Sequence, residues 1–385
     1  MNIGLFTDTY FPQVSGVATS IQTLKESLER LGNSVYIFTT TDPHVNKKEH
    51  ERNIFRFPSV PFISFTDRRI AVRGLFHAYR VAKNLNLDIV HTQTEFSLGY
   101  MGKFVAKNLK IPCVHTYHTM YEDYLHYLLN GHLLKPYHVK QFTKAYLYHV
   151  TGVIAPSSRV INTLNNYGVR APIRIIPTGV DLNKYSQPMK INLRKIYNLK
   201  PDQPVLLTVS RVAYEKKIGN ILDVMPKLVQ LYSNIKLFIV GDGPAMEELK
   251  NKVDQLKIKR NVIFVGEVEH EKIADYYHMA NLLVSASDSE AQGLTYIEAM
   301  ATGLKSVVLS STYTDRLLDN VNIGSTYHNK NEMIQKICNY LDYPEYFTND
   351  APRINKLNLI SSDTFGKKVL NLYHDMMYFY NLYKL

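Results

Sequence analysis

A chain of 385 residues has room for two domains of ordinary size, each with its own core. With 45% hydrophobic and 21% charged residues the composition is globular, excluding a disordered or fibrous chain, and only two cysteines, Cys113 and Cys338, argue against a disulfide framework and suit a reducing compartment. The formal charge of +11 directs attention to anionic partners: nucleic acid, phosphorylated ligands or acidic lipid.

The opening "MNIGLFTDTYF" reads as a first β-strand and not as a signal peptide. No apolar run reaches the roughly 18 residues that a membrane span needs. From there, short β-branched runs alternate with amphipathic helical patterns. Asn2–Asp8, Ser34–Thr40, Asp88–Gln93, Ile111–His118 and Gly152–Ser157 read as buried parallel strands, with helices such as Ser20–Leu31 between them. A second series begins after Pro201: "PVLLTVSR", "IKLFIVGDG", "NVIFVGEV", "NLLVSAS" and "KSVVLSS", with helices over Ala245–Leu256 and His270–Met279. Such alternation predicts an α/β protein with two doubly wound parallel sheets. The break falls in Thr178–Pro204, with the linker around Asp181–Met189. The expected domains are therefore residues 1–181 and 190–362. They are followed by an aromatic-rich helix over 363–385, a core helix or one that packs back across the domains, with the N-terminal domain as its expected partner.

Open parallel sheets bind ligands at the carboxyl ends of their strands, and the candidate residues follow strands. "DSEAQGLTYIEAM" comes after "NLLVSAS" and places Glu290 and Glu298 on either side of a helix start near Gly293. The first amides of that helix, around Leu294 and Thr295, lack intrahelical partners and can hold a phosphate. Glu298 lies about one turn deeper, roughly 6 Å along the axis. A diphosphate between two polyhydroxylated rings, the layout of a sugar nucleotide, suits this arrangement. Taken alone, two acids at a helix start also have an ordinary electrostatic explanation. "SRVAYEKK" supplies Arg211 and Lys216 at the same sheet edge, the charge a diphosphate needs as it departs, with Glu215 placed to orient Lys216. "GDGP" from Gly241 permits a tight turn and close backbone approach before a helix.

In the first half, "DTYFPQVSGVATS" offers Gly16 for close backbone approach and Ser15, Thr19 and Ser20 as helix caps, but not the G-x-G-x-x-G spacing of a nicotinamide dinucleotide site. "HTYHTMYEDYLHY" concentrates His115, His118, Glu122, Asp123 and His126 without a recognised metal spacing, and no Asp-x-Asp pair occurs to bridge a magnesium diphosphate.

Gly16 with its loop, His118 in "YHT", "TGVD" (Thr178–Asp181), Arg211 and Lys216, "GDGP" and the E-x7-E pair Glu290/Glu298 occur in an order that resembles the retaining glycosyltransferases of family four, from Met1 to about Ala301. "TDTYFPQVSGVATSI" with "TYHTMYEDYLHY" is similar, within that family, to the bacterial diacylglycerol glucosyltransferases, which make glycolipid anchors such as those of lipoteichoic acid. The resemblance implies the GT-B fold, two Rossmann-like domains facing across a cleft. It implies that Arg211 and Lys216 clamp the donor diphosphate with the amides at Leu294 and Thr295, and that Gly241 and Gly293 also belong to the donor site. Glu298 would hold the ribose, Glu290 the sugar hydroxyls, and Gly16 would approach the donor phosphates on closure. His118 would sit beside the donor sugar and the acceptor hydroxyl, orienting more than accepting a proton. It implies hexosyl transfer with retention, without metal or other cofactor, from a nucleotide sugar such as UDP-glucose. Two departures from the family pattern stand out: Ser15–Gly16 in place of paired glycines, and "AMATGLKSVVLSSTYTD" after Glu298, an atypical donor-side wall.

The acceptor implied is a membrane diacylglycerol. His132–Val150 mixes Leu, Tyr and Phe with Lys135, Lys140 and Lys144, and Val60–Gly74 carries Arg68 and Arg69 in a similar mixture. Tyr117 joins the acceptor side. No Asp or Glu occurs between Asp123 and Asp181. Such basic, aromatic stretches suit an anionic leaflet. The expectation is thus an enzyme of the cytoplasm, peripherally attached to the inner face of the cell membrane. The alternatives are a glycosylated lipid, a teichoic or polyprenyl acceptor, or a soluble sugar or protein. A nucleic-acid-binding role is not expected, for no helix-turn-helix or basic–aromatic RNA signature accompanies the charge.

Overall fold

The computed structural model describes residues 1–13, 15–43, 45, 51–62, 65–120, 135–187, 189–269, 272–290 and 292–383. The chain forms two compact units, Met1–Gly179 with Ile360–Leu385, and Val180–Leu359. Each is an α/β unit built on one parallel sheet, the fold class expected from the alternating pattern.

The strands of the first unit are β1 (Asn2–Phe6), β2 (Ser34–Thr40), β3 (Ile54–Phe57), β4 (Ser59–Phe62), β5 (Phe65–Ala71), β6 (Ile89–Thr92), β7 (Cys113–Thr116), β8 (Gly152–Ala155) and β9 (Ile173–Ile175). Seven of them form a sheet in the order β3-β2-β1-β6-β7-β8-β9, while β4 and β5 pair antiparallel as a separate ribbon. The central strands are buried on both faces, which is why they read as continuous apolar runs. Ile3, Leu5, Val35, Ile37, Ile89, Val114 and Ile154 make the sheet side of one core. Ile21, Leu24 and Leu28 cover it from the helix Gly16–Arg30, at the three- and four-residue spacing that lines one helix face. The helix Ser362–Tyr383 completes the layer with Val369, Leu372, Tyr373 and Met376, so the C-terminal aromatic segment is a core helix of this unit. Each fully buried aliphatic side chain contributes about 1.5–3 kcal/mol of transfer free energy.

In the second unit β10 (Val205–Val209), β11 (Lys236–Val240), β12 (Val262–Gly266), β13 (Leu282–Ser285), β14 (Lys305–Leu309) and β15 (Gly324–Tyr327) form a parallel sheet in the order β12-β11-β10-β13-β14-β15. Leu206, Leu237, Ile239, Leu282, Val284 and Val307 pack against Ile221, Leu222, Met225 and Leu228 of the helix Ile218–Leu231 and against Met333 and Ile337 of Lys330–Asp342.

Several elements differ from the sequence expectation. The first helix starts at Gly16 and not Ser20, because Ser15 Oγ accepts the Ala18 N–H at 3.1 Å. Ser20 is buried instead, its hydroxyl 2.9 Å from that of Thr178. β3, β9 and β15 escaped notice because they are three or four residues long and mix residue types; "IRI" and "GSTY" carry no clear pattern, although the second is largely buried. The linker stretch holds two short helices, Leu182–Ser186 and Leu193–Ile196.

Candidate functional site

In the second unit the strand order reverses at β10, with β11 on one side and β13 on the other. The loops that leave the carboxyl ends of β10 and β13 therefore emerge side by side, where open α/β sheets hold ligands. They carry the predicted cations and acids, and two ion pairs tie them together. Lys216 Nζ stands 2.6 Å from Glu290 Oε1, with the two side chains only 15% and 18% exposed. Lys217 pairs with Asp288 in an exposed rung beside it. Glu290 is thus one partner of Lys216, and Glu215, expected to orient that lysine, is buried beside it in sequence. Arg211 is half-buried in the same loop.

The helix Leu294–Ala301 begins at Gly293, whose φ of 64° lies in the left-handed region. A Cβ at this position would come within 2.7 Å of the Tyr296 ring, so the turn that presents the Leu294 and Thr295 amides requires glycine. Glu298 is on the buried side of that helix, 7% exposed. Its Oε2 accepts the Tyr277 hydroxyl at 2.7 Å, and burial raises its pKa against the opposing hydrogen bonds from Tyr277 and Tyr185. The "GDGP" turn owes its glycines to protein packing: at Gly241, φ 127°, a Cβ would lie 2.0 Å from the Ser210 carbonyl oxygen. The turn and the Arg211 loop are laced by Val212 N–H to Asp242 O at 2.9 Å and Ala245 N–H to Val212 O at 3.0 Å. Close approach at "GDGP" thus positions the arginine loop.

In the first unit the order reverses at β1, flanked by β2 and β6. The loop after β1 leads to Gly16, exposed at the first turn of its helix. Directly after β6 comes Gln93, 2% exposed, whose Oε1 lies 2.7 Å from His118 Nε2. Burial, with a smaller push from neighbouring His115, holds His118 down to about 3, so its ring is neutral. His115 is held between Thr92 Oγ1 at 2.8 Å and Glu95 Oε1 at 3.1 Å, both from the strand end and loop of β6.

The remaining predicted residues scatter. Tyr117, placed on the acceptor side, is 1% exposed with its ring edge-on to that of His115, so it presents no area to a bilayer. Lys135 precedes the helix Pro136–Leu147, which buries Val139, Thr143, Tyr146 and Leu147 on one face. Lys144 and the rings of Tyr137 and Phe142 lie on its exposed face, 63% and 39% exposed for the rings, and Lys140 is half-buried. Arg69 is half-buried and turned inward, donating to Ser59 Oγ at 2.9 Å and Ser59 O at 2.8 Å. The side chain of Arg68, and residues Glu122, Asp123 and His126, lie outside the described residues. Among the described residues no group of three His, Cys, Asp or Glu side chains could hold a metal ion, and no helix is long and apolar enough to cross a membrane. Sequence reasoning passed over Gln93, Tyr185, Tyr277 and the Lys217–Asp288 rung. Gln93 alone carried a usable signal, a polar residue directly after a buried strand.

The family model described as Glycosyltransferase Family 4 matches residues 14–184, and that of Glycosyl transferases group 1 matches residues 189–342. An alpha-monoglucosyldiacylglycerol synthase of Streptococcus pneumoniae is 43% identical over 390 aligned residues, covering 100% of this chain and 88% of its own. The enzyme of that name from Acholeplasma laidlawii is 31% identical, covering 96% of this chain and 94% of its own. Among solved structures, HepE of Anabaena in complex with UDP superposes with a TM-score of 0.76 at 16% identity, covering 97% of this chain and 100% of that one. Sucrose-phosphate synthase of Thermosynechococcus elongatus gives 0.76 at 21% identity over 97% and 98%. On two family models and full-length relatives, the chain belongs to glycosyltransferase family four and is a glycosyltransferase of the GT-B fold.

Proposed function

We propose that the enzyme transfers glucose from UDP-glucose to a membrane diacylglycerol, with retention and without a metal, forming an α-glucosyl-diacylglycerol of the kind that anchors lipoteichoic acid. The observation that carries this reading is the full-length identity of 43% to a protein named for that product class. In the second unit, Arg211, Lys216 and the first amides of Leu294–Ala301 concentrate fixed positive charge at one sheet edge. They would stabilise a departing diphosphate without reorganising during the reaction. Lys216 is held by Glu290 before the donor arrives; a phosphate that takes over the ammonium releases the carboxylate for the sugar hydroxyls. Glu298, fixed by Tyr277, would accept from the ribose. In the first unit, His118 is neutral and half-buried, which suits hydrogen bonding to a hydroxyl better than proton abstraction. The lysines and aromatic rings exposed on Pro136–Leu147 suit peripheral attachment to an anionic leaflet, on the cytoplasmic side where the donor would be found.

The test is a transfer assay with UDP- and GDP-hexoses in micelles of anionic lipid, with and without diacylglycerol and with a chelator. Expected are glucose transfer to diacylglycerol, an α product by NMR and turnover indifferent to chelation. Transfer to another acceptor in preference to diacylglycerol, a β product, or loss of turnover on chelation would each overturn the corresponding part.

A further inference from the structure

Three histidines stand at or just past the carboxyl ends of β6 and β7. His91 has both ring nitrogens engaged, Nδ1 with Tyr373 Oη at 2.6 Å and Nε2 with Thr116 Oγ1 at 2.7 Å. His115 likewise has Thr92 on Nδ1 and Glu95 on Nε2. His118 is different. Its Nε2 meets Gln93 Oε1 at 2.7 Å, and its Nδ1 has no hydrogen-bond partner among the described residues. An amide oxygen has no hydrogen to give, so the nitrogen facing it must carry the proton. A neutral imidazole has only one N–H, so Nδ1 is left with a bare lone pair.

Gln93 is built for this one contact. Its backbone N–H is fixed on Phe6 O at 2.8 Å, tying the start of the loop to β1. Its side chain is 2% exposed, and its Nε2 is buried with no partner among the described residues. A buried amide that leaves its own N–H groups unused is unfavourable for stability and calls for another reason to be there.

We propose that Gln93 is a positioning residue: its amide oxygen holds His118 as the Nε2–H tautomer, presenting Nδ1 as a hydrogen-bond acceptor for a substrate hydroxyl. The idea rests on the reading above that His118 meets substrate, and it adds the sign of that contact: the ring receives a proton bond and does not give one. A hydroxyl-bearing ligand is selected, and a ligand offering only acceptor oxygens at that place is not.

The experiment records long-range proton–nitrogen NMR correlations of the full-length protein labelled with ¹⁵N in its histidine rings, with His118 assigned by the signals lost in His118→Gln. The wild type should show a protonated Nε2 and an unprotonated Nδ1. In Gln93→Met that pattern should give way to mixed tautomers, with kcat lowered about tenfold, the weight of one neutral hydrogen bond, and with Tm unchanged or raised. Gln93→Glu, which keeps an accepting oxygen, should retain the proton on Nε2. A proton on Nδ1 in the wild type overturns the proposal, as does a Gln93→Met protein with unaltered spectrum and turnover. A large fall in Tm for Gln93→Met, with the wild-type pattern kept in its folded fraction, would make the residue structural and overturn it as well. The spectrum is read without substrate, so a protein that transfers no sugar to diacylglycerol refutes the proposed function and leaves the tautomer to be decided separately.

Discussion

Lys216→Met and Glu290→Gln, singly and together, probe the ion pair that joins the loops after β10 and β13. At the observed 2.6 Å the gross attraction is about 6 kcal/mol for an effective dielectric constant of ~20. Desolvation and the residual exposure of both groups offset most of this, leaving a coupling of about 1–3 kcal/mol. Each single replacement leaves a half-buried opposite charge alone and should destabilise by about 2–3 kcal/mol, which lowers Tm by about 5–10 °C for a unit of this size. The double replacement should fall short of the sum by the coupling. Ligand affinity adds a sign. If Lys216 holds the diphosphate as proposed, Lys216→Met should weaken UDP by about 2 kcal/mol, some 30-fold. Glu290→Gln frees Lys216 and should leave UDP binding equal or tighter while sugar transfer falls. Thermal unfolding of the four proteins and calorimetric titration with UDP measure both. Additive single effects on Tm, or UDP affinities that fall alike in the two single variants, would refute the reasoning.

Other expectations concern the scaffold and the surface. Gly241→Ala places a Cβ against the Ser210 carbonyl at a positive φ and should cost about 3 kcal/mol or more; a wild-type Tm with intact UDP binding would show that the turn does not position the Arg211 loop. His118, lowered from 6.5 to about 3 in the folded state, contributes little pH dependence more than about one pH unit above 6.5. Below that value the unfolded chain takes up its proton first and stability falls with pH, by about 2 kcal/mol at pH 5 from this group alone. His118→Gln should therefore lose about that much less than wild type in denaturant titrations between pH 8 and pH 5, and identical losses would contradict the burial argument. Lys135→Gln with Lys144→Gln should reduce sedimentation with anionic vesicles by about 2 kcal/mol, roughly 30-fold, and leave binding to neutral vesicles unchanged. Equal binding of variant and wild type to anionic vesicles would detach the helix Pro136–Leu147 from the membrane role.

The residues alone determined the two parallel sheets, because strands buried on both faces must be apolar throughout and the helices between them must repeat at three and four. They also marked the loops after strands that carry His118, Arg211, Lys216 and Glu290, and the helix after the last of these loops that carries Glu298, because polar and glycine residues interrupt the apolar run where a buried strand ends. They could not show the short edge strands, where three or four residues of mixed type leave little pattern. Nor could they show that Lys216 is held by Glu290 across 74 residues of sequence, that Gly241 makes room for a carbonyl of the Arg211 loop, or that Gln93 meets His118. Those partnerships depend on which strands become neighbours, and strand order is decided only when the whole sheet assembles. Local sequence sets what a residue can offer; the distance at which another residue receives it is a property of the folded chain.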